Sequence, residues 1–489
     1  MDIRIVNGII RGVREHGCIS FKGIPYAKPP VGKLRFMPPE PCEDWFGALD
    51  CTYYGPRPVQ MPPPWCLDSN SAVYGEDCLN INVWTPGIDD KKRPVLFNIF
   101  GGGHMEGSNS ELGSEGYHLL TDRDIVVVAP NYRVGALGYL YLGHLLGSDY
   151  ASSGNLGLLD LILALKWVKE NISFFGGDPD RVTIAGQSAG GKSVMNLLLA
   201  PKAKGLFQGA VAMSGALQGI KDIGTETMLT RNFLQSSGMK EEEAEKLLSL
   251  PAEEIVKMQE RANNNYFKAE SYGSTADGIT LPTDIESAIN NGSITKVPVI
   301  MGHTKEELFL SPDCEAADIG TEAVRKKFRW KFGDNVSHVM EYYNGLHGDT
   351  GYPLSYGITS TNFTYVQAYL RTASLLYEQN FPLWLYRWDY TGGFLAGHSS
   401  DNEALFGRTL PQKLKANPEI TARIDKTFKD AILQFVETGN PCTGELSDWQ
   451  PYHSLHKRRM LFDTHCRMES LELSYDTAFP LQVFKLSSM

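Results

Sequence analysis

Eight residues, GQSAGGKS from Gly186 to Ser193, constrain this chain more than any other stretch, because they satisfy two active-site patterns that demand the same flanking elements. As G-x-S-x-G they form a nucleophile elbow, in which Ser188 stands on a tight strand-to-helix turn and Gly186 and Gly190 remove side chains that would collide there. As G-x-x-x-x-G-K-[ST] they form a phosphate-cradling loop closed by Lys192 and Ser193. Arg181 to Ala185 reads as the strand that both patterns need, and Ser193 to Leu199 as the helix. The local context is therefore identical for the two.

Short β-rich runs at Val95 to Phe100, Ile125 to Ala129, Val182 to Ala185, Ala210 to Met213, Val297 to Met301 and Leu383 to Trp388 alternate with helical patterns, which predicts an α/β fold with a mostly parallel sheet covered by helices. Between Asn155 and Ile172 the apolar residues Leu158, Leu161, Ile162, Leu165, Val168 and Ile172 recur at helical spacing and give one face to pack on the sheet. Gly176-Gly177-Asp178-Pro179 stops that helix. Ser188 is thereby delivered to the carboxyl end of a central strand, where open α/β sheets place their ligands.

A polar helical region opened by Glu241-Glu242-Glu243 and running to Ala262 suggests an excursion from the sheet that begins near Glu226, either a solvated helix pair or a lid over a site. No repeat or long linker divides the chain. Residues 1–489 read as one domain with helical insertions around 217–275 and 315–380.

A formal net charge of -11 argues against nucleic acid or an anionic membrane as main partner and fits a neutral or weakly charged substrate better. No run of about 18 apolar residues is present to span a bilayer. The opening Met1 to Gly8 reads as a strand and turn rather than a secretory signal, so a cytoplasmic protein is expected. The eight cysteines are scattered without C-x-x-C pairs, and free thiols are the expectation. Nothing in the sequence selects an oligomeric state.

The rest of the chain separates the two patterns. A phosphate loop acting on a nucleotide also needs a carboxylate near the end of another strand to help hold Mg²⁺, and the strand at Ile125 to Ala129 ends in Pro130-Asn131 instead. A nucleophile elbow needs an oxyanion hole and then an acid and a histidine, in that chain order. Phe100-Gly101-Gly102-Gly103-His104 follows a predicted strand, and bare glycines let backbone N–H groups converge on an anionic oxygen.

These residues resemble the type B carboxylesterases of the α/β-hydrolase superfamily, the group that contains para-nitrobenzyl esterases and cholinesterases. The resemblance is carried by FKGIPYAKPPVGKLRF from Phe21, EDCLNINVWTP from Glu76, FGGGH from Phe100, APNYRVGALGYL from Ala129, the segment Asn155 to Gly191, ADGITLP from Ala276, VPVIMGHTKEE from Val297, GHSSD from Gly397 and ETGNP from Glu437. It implies an α/β-hydrolase fold and a serine carboxylesterase acting on neutral esters without metal or organic cofactor. It also implies Ser188 as nucleophile, His398 as general base and acid, Glu307 as the carboxylate orienting the imidazole, and Gly102, Gly103 and Ala189 as oxyanion donors. The rival classes are a P-loop nucleotide-binding protein and a non-catalytic α/β-hydrolase-like binding protein.

Four departures from the family pattern stand out. Gln187 occupies the elbow position that is usually glutamate, which removes a negative charge from the pocket. His104 stands where an aromatic is common, and either meets substrate or fills the same space. Leu308 follows Glu307 where glycine is usual, so that turn is expected to be built differently. Cys78 matches the cysteine of the family's disulfide, but Pro58 stands at its usual partner position, leaving Cys66 as a partner only under oxidising conditions. His303 is expected to be local scaffolding.

Overall fold

A computed structural model describes residues 1–62, 72–111, 115–121, 123–265, 272–309, 320–352, 354–393, 395–407 and 417–476. Cys66, Cys314 and the parts of the two predicted insertions at 266–271 and 315–319 lie outside them.

Among the described residues fourteen strands form two sheets. A small one joins β1 (Asp2–Ile5), β2 (Gly8–Arg11) and β5 (Ala48–Asp50). The large one contains β3 (Val13–Glu15), β4 (Cys18–Pro25), β6 (Asn80–Thr85), β7 (Arg93–Ile99), β8 (Val126–Pro130), β9 (Gly177–Gln187), β10 (Gly209–Met213), β11 (Val299–Thr304), β12 (Leu383–Trp388), β13 (Arg458–Phe462) and β14 (Arg467–Ser470). Its spatial order is β14-β13-β12-β11-β10-β9-β7-β8-β6-β4-β3. From β8 to β13 every neighbouring pair is parallel, and antiparallel strands complete both edges.

The central strands read as continuous apolar runs because both faces are covered. Along β7, Val95, Phe97 and Ile99 enter one core and Leu96 the other. Along β12, Leu383 and Leu385 alternate in the same way with Trp384, Tyr386 and Trp388. Helices Leu156–Asn171 and Ala189–Leu199 close the first face, and Pro418–Thr438 closes the second through Ile424, Phe428, Ile432 and Phe435.

One expectation is revised here and another is made sharper. The helix Leu156–Asn171 buries Leu159, Ala164 and Trp167 beside the predicted stripe, so it is wrapped on more than one face. The excursion starts at Ile223, where the Asp222 carboxylate caps the helix by accepting from Thr225 N–H at 2.8 Å. Glu226, near which the excursion was expected to begin, lies in the first turn of that helix, buried and 3.6 Å from the Lys221 ammonium. Further on, Thr321–Phe332, Val336–Thr350 and Leu354–Thr361 assemble a separate cluster around Phe328, Tyr343 and Tyr356. Among the described residues no helix is long and apolar enough to cross a membrane.

Candidate active site

Strand β9 ends at Gln187 and the next helix begins at Ala189, so a single residue makes the turn between them. Ser188 is held at φ 58° and ψ -123°, a backbone region costing about 1–3 kcal/mol for a residue with a side chain. Close packing explains both glycines of the motif. A Cβ on Gly186 would sit 2.4 Å from the Gly190 carbonyl carbon, and one on Gly190 would sit 2.2 Å from Ile99 O. The same turn excludes the phosphate-loop pattern. Ala189 to Lys192 are already helical, which leaves no open loop to cradle a phosphate.

Parallel pairing of Ile99 with Gly186 brings the glycine run after β7 against the elbow. A Cβ on Gly101 would lie 2.7 Å from Gln187 O and 3.3 Å from Ser188 Cβ. Gly102 and Gly103 adopt φ 106° and 64°, which glycine permits at little cost. Among the described residues the amides of Gly102, Gly103 and Ala189 donate to no other group, although they stand beside the one serine on the strained turn. Unpaired amides at such a place are the exception in folded proteins.

Strands β11 and β12 deliver the remaining groups. After β11 the Glu307 carboxylate folds back to accept from Thr304 N–H at 2.8 Å, and after β12 the chain bridges Glu306 to Gly397, which sets His398 opposite Glu307. Nδ1 of His398 contacts Glu307 Oε2, and Nε2 lies 2.8 Å from Ser188 Oγ. Ser188, His398 and Glu307, far apart in sequence, thus form one continuous line of contacts. Glu306 turns away and accepts from Ala396 N–H at 2.8 Å. Leu308 N–H donates to Thr361 Oγ1 at 3.1 Å, so a side chain braces the turn that carries leucine in place of glycine.

Burial works against the Glu307 charge, but the adjacent His398 ring and its hydrogen bond outweigh it and hold the carboxyl below its ordinary value. Burial drives His303 down to about 4, and Nδ1 of that ring lies 2.8 Å from Thr304 O, the scaffolding position expected for it. His104 lies inside the fold. The ring is buried, with Nε2 3.1 Å from Ser193 Oγ and the Tyr139 ring at 4.9 Å, contacts that fit the space-filling alternative. Burial, with Lys192 and Lys221 nearby, lowers its pKa to about 3.

Gln187 does more than leave out a charge, since its Nε2 lies 3.3 Å from His398 Nε2. Sequence reasoning missed Tyr365, whose ring stands 5.3 Å from that of His398 on a π-helical turn, Asn362–Val366. It also missed Asp401. That carboxyl is fully buried and accepts from Tyr386 O–H at 2.6 Å, and burial raises its pKa to about 6. Cys78 is a buried free thiol, as are Cys18 and Cys51, while Cys42, Cys442 and Cys466 are free and partly exposed. Among the described residues no group of three metal-ligating side chains could hold a metal ion.

A serine, an imidazole and a carboxylate in line at the carboxyl ends of parallel strands define a hydrolase centre of the α/β-hydrolase type. The chain belongs to the carboxylesterase family, whose sequence model matches residues 2–478. It is 35% identical to the para-nitrobenzyl esterase of Bacillus subtilis (strain 168) over 490 residues, 95% of each chain, and 30% identical to the pyrethroid hydrolase Ces2a of Mus musculus over 90% of this chain and 84% of that one. Among solved structures, the Geobacillus stearothermophilus carboxylesterase EST55 at pH 6.2 superposes with a TM-score of 0.85 at 34% identity, covering 96% of this chain and 97% of that one. The protein is a serine carboxylesterase with an α/β-hydrolase fold.

Proposed function

We propose that hydrolysis runs through an acyl-enzyme on Ser188. The observation that carries this reading is the contact line from Ser188 Oγ through His398 to the buried Glu307. A serine hydroxyl is a weak nucleophile until an imidazole accepts its proton. As Oγ attacks the ester carbonyl carbon, its proton passes to His398 Nε2, and Glu307 holds the ring orientation and stabilises the imidazolium. The carbonyl oxygen becomes an oxyanion facing the amides of Gly102, Gly103 and Ala189, each typically worth about 3 kcal/mol to the transition state. The oxyanion then collapses, the bond to the alkoxy oxygen breaks, and that oxygen takes the proton from Nε2 and departs as the alcohol. Water repeats the sequence on the acyl-enzyme, giving its proton to His398, and the acid is released.

The substrate is a small carboxylic ester. Free thiols at all six described cysteines support a reducing, cytoplasmic setting, and the family match over residues 2–478 supports a single domain. A fluorophosphonate probe tests the nucleophile. It should label the protein at Ser188, and Ser188→Ala should abolish labelling while kcat on a simple ethyl ester falls by about 10⁴-fold or more. Labelling that survives the substitution would reject this assignment.

A further inference from the structure

His104 carries a backbone cost that filling space does not account for. It sits at φ 58° directly after Gly103 at 64°, and the Met105 N–H closes the turn by donating to Gly102 O at 3.0 Å. Positive φ at both central positions is the mark of a type I′ turn, which favours glycine, asparagine and aspartate. A histidine there stands against a backbone preference of about 1–3 kcal/mol, so the surrounding fold must hold it. Its ring is buried, and Nε2 lies 3.1 Å from Ser193 Oγ in the elbow helix. Backbone groups of Ala189 and Tyr272 add hydrogen bonds that favour a proton on the ring, as acceptors do, so their carbonyls are engaged rather than their amides. The His104 carbonyl accepts from Gly135 N–H at 2.6 Å.

The turn matters because of the peptide it holds. A peptide unit is planar with its N–H and C=O opposed, so the plane that carries the Gly103 N–H is the one that carries the Gly102 oxygen. That oxygen accepts from Met105 N–H at 3.0 Å and Glu106 N–H at 3.1 Å, which fixes the direction of the Gly103 N–H. By the same logic Ser188 O accepts from Lys192 N–H at 2.9 Å and sets the plane of the Ala189 N–H. The two donors come from separate segments, one after β7 and one at the start of the elbow helix. His104 spans both: its backbone belongs to the turn that aims the first donor, and its ring bonds Ser193 and Ala189 in the helix that begins with the second. An aromatic hydrocarbon would occupy this space, but it could make none of those bonds.

We propose that His104 is a positioning residue for the oxyanion hole, whose imidazole ties the 102–105 turn to the elbow helix and so sets the spacing and aim of the Gly103 N–H relative to the Ala189 N–H. The proposal rests on the acyl-enzyme reading. Its test uses two inhibitors, trifluoromethyl hexyl ketone and methyl hexyl ketone. With the first, Ser188 Oγ bonds to the carbonyl carbon, the C=O π pair moves onto oxygen and the serine proton passes to His398, which leaves an oxyanion facing the amides; the second binds without adding. His104→Phe should lower kcat and trifluoromethyl ketone affinity together by about ten-fold, a fraction of the 10²–10³-fold lost with a whole donor, while KM and methyl ketone affinity stay put. His104→Gln, whose amide nitrogen reaches about as far from the backbone as Nε2, should recover most of that loss. Unchanged kcat and trifluoromethyl ketone affinity in His104→Phe, an equal loss of both ketones, or a Gln variant no better than the Phe one overturns the proposal and leaves the ring a space-filler. If His104→Phe does not fold, Ser193→Ala decides: it keeps the ring and removes its partner, and should weaken kcat and trifluoromethyl ketone binding by about three-fold, the scale of one hydrogen bond, with no change there overturning the proposal. A wild type that binds the two ketones alike would overturn the acyl-enzyme reading itself.

Discussion

At the residue scale, two adjacent glutamates show how much a side chain's direction matters. Glu307 faces His398 and Glu306 accepts from the Ala396 amide instead, so Glu307→Gln should lower kcat by about 10³–10⁴-fold, whereas Glu306→Gln should stay within about ten-fold of wild type. Steady-state kinetics on both variants decides this, and equal losses would sink the assignment. Gln187 carries a second prediction. Activity should fall in acid because an imidazolium cannot accept the serine proton. Gln187→Glu places an anion about where the amide now lies, 3.3 Å from His398 Nε2, which favours the imidazolium. The acid limb of the kcat/KM profile should therefore move to higher pH, by about one unit, and a limb that stays in place would show that the amide contact is inert. At this scale the sequence was informative about residue types and silent about contacts. The charge missing at Gln187 was legible, but its approach to His398 was not, and Tyr365 left no local signal because its relevance arises only from the fold.

At the element scale, the strands were the most legible part. Doubly covered parallel strands must be apolar on both faces, and six such runs stood out from the polar connections between them. Boundaries were less so: β9 begins at Gly177, directly after Gly176 ends the preceding helical turn at φ 75°, within the segment read as a stop. The short helix Ser400–Phe406 after His398 carries the element-scale prediction. Burial keeps the proton on Asp401, so the folded chain binds more protons than the unfolded one between the ordinary value of 3.8 and about 6. Stability should consequently fall as pH rises through that window, by roughly 2–3 kcal/mol from this group. Asp401→Asn, which can still accept from Tyr386, should remove that share of the slope in denaturation midpoints measured from pH 4 to 7. A variant whose profile parallels the wild type would show that Asp401 ionises as it does in water.

At the scale of the whole molecule, contacts between distant segments hold the excursion to the sheet. The Arg35 guanidinium pairs with both Glu76 oxygens, at 2.7 and 2.6 Å, and also donates to the carbonyls of Leu247 and Leu250. One nearly buried side chain thus fastens the helical turn Glu241–Leu248 to the N-terminal region. Arg35→Met should raise hydrogen exchange in 241–265 by about ten-fold or more while leaving the central strands protected. Uniform exchange across both regions would place the loss in global stability instead. The excursion's polarity was visible in the sequence, whereas this attachment was not, because nothing local to Arg35 foretells a partner more than two hundred residues away.

Local pattern was enough to find the elbow serine and the glycine run, since steric exclusion at Gly186 and Gly190 and the period-two burial of strands act over a few residues, whereas the imidazole and the carboxylate were named only by the family resemblance. Folding in three dimensions supplied the rest. It turned Glu307 rather than Glu306 toward His398, and it buried His104 against Ser193 and Tyr139. Each of these depends on which atoms meet across the sheet, and short-range patterns in a chain carry no record of such distances.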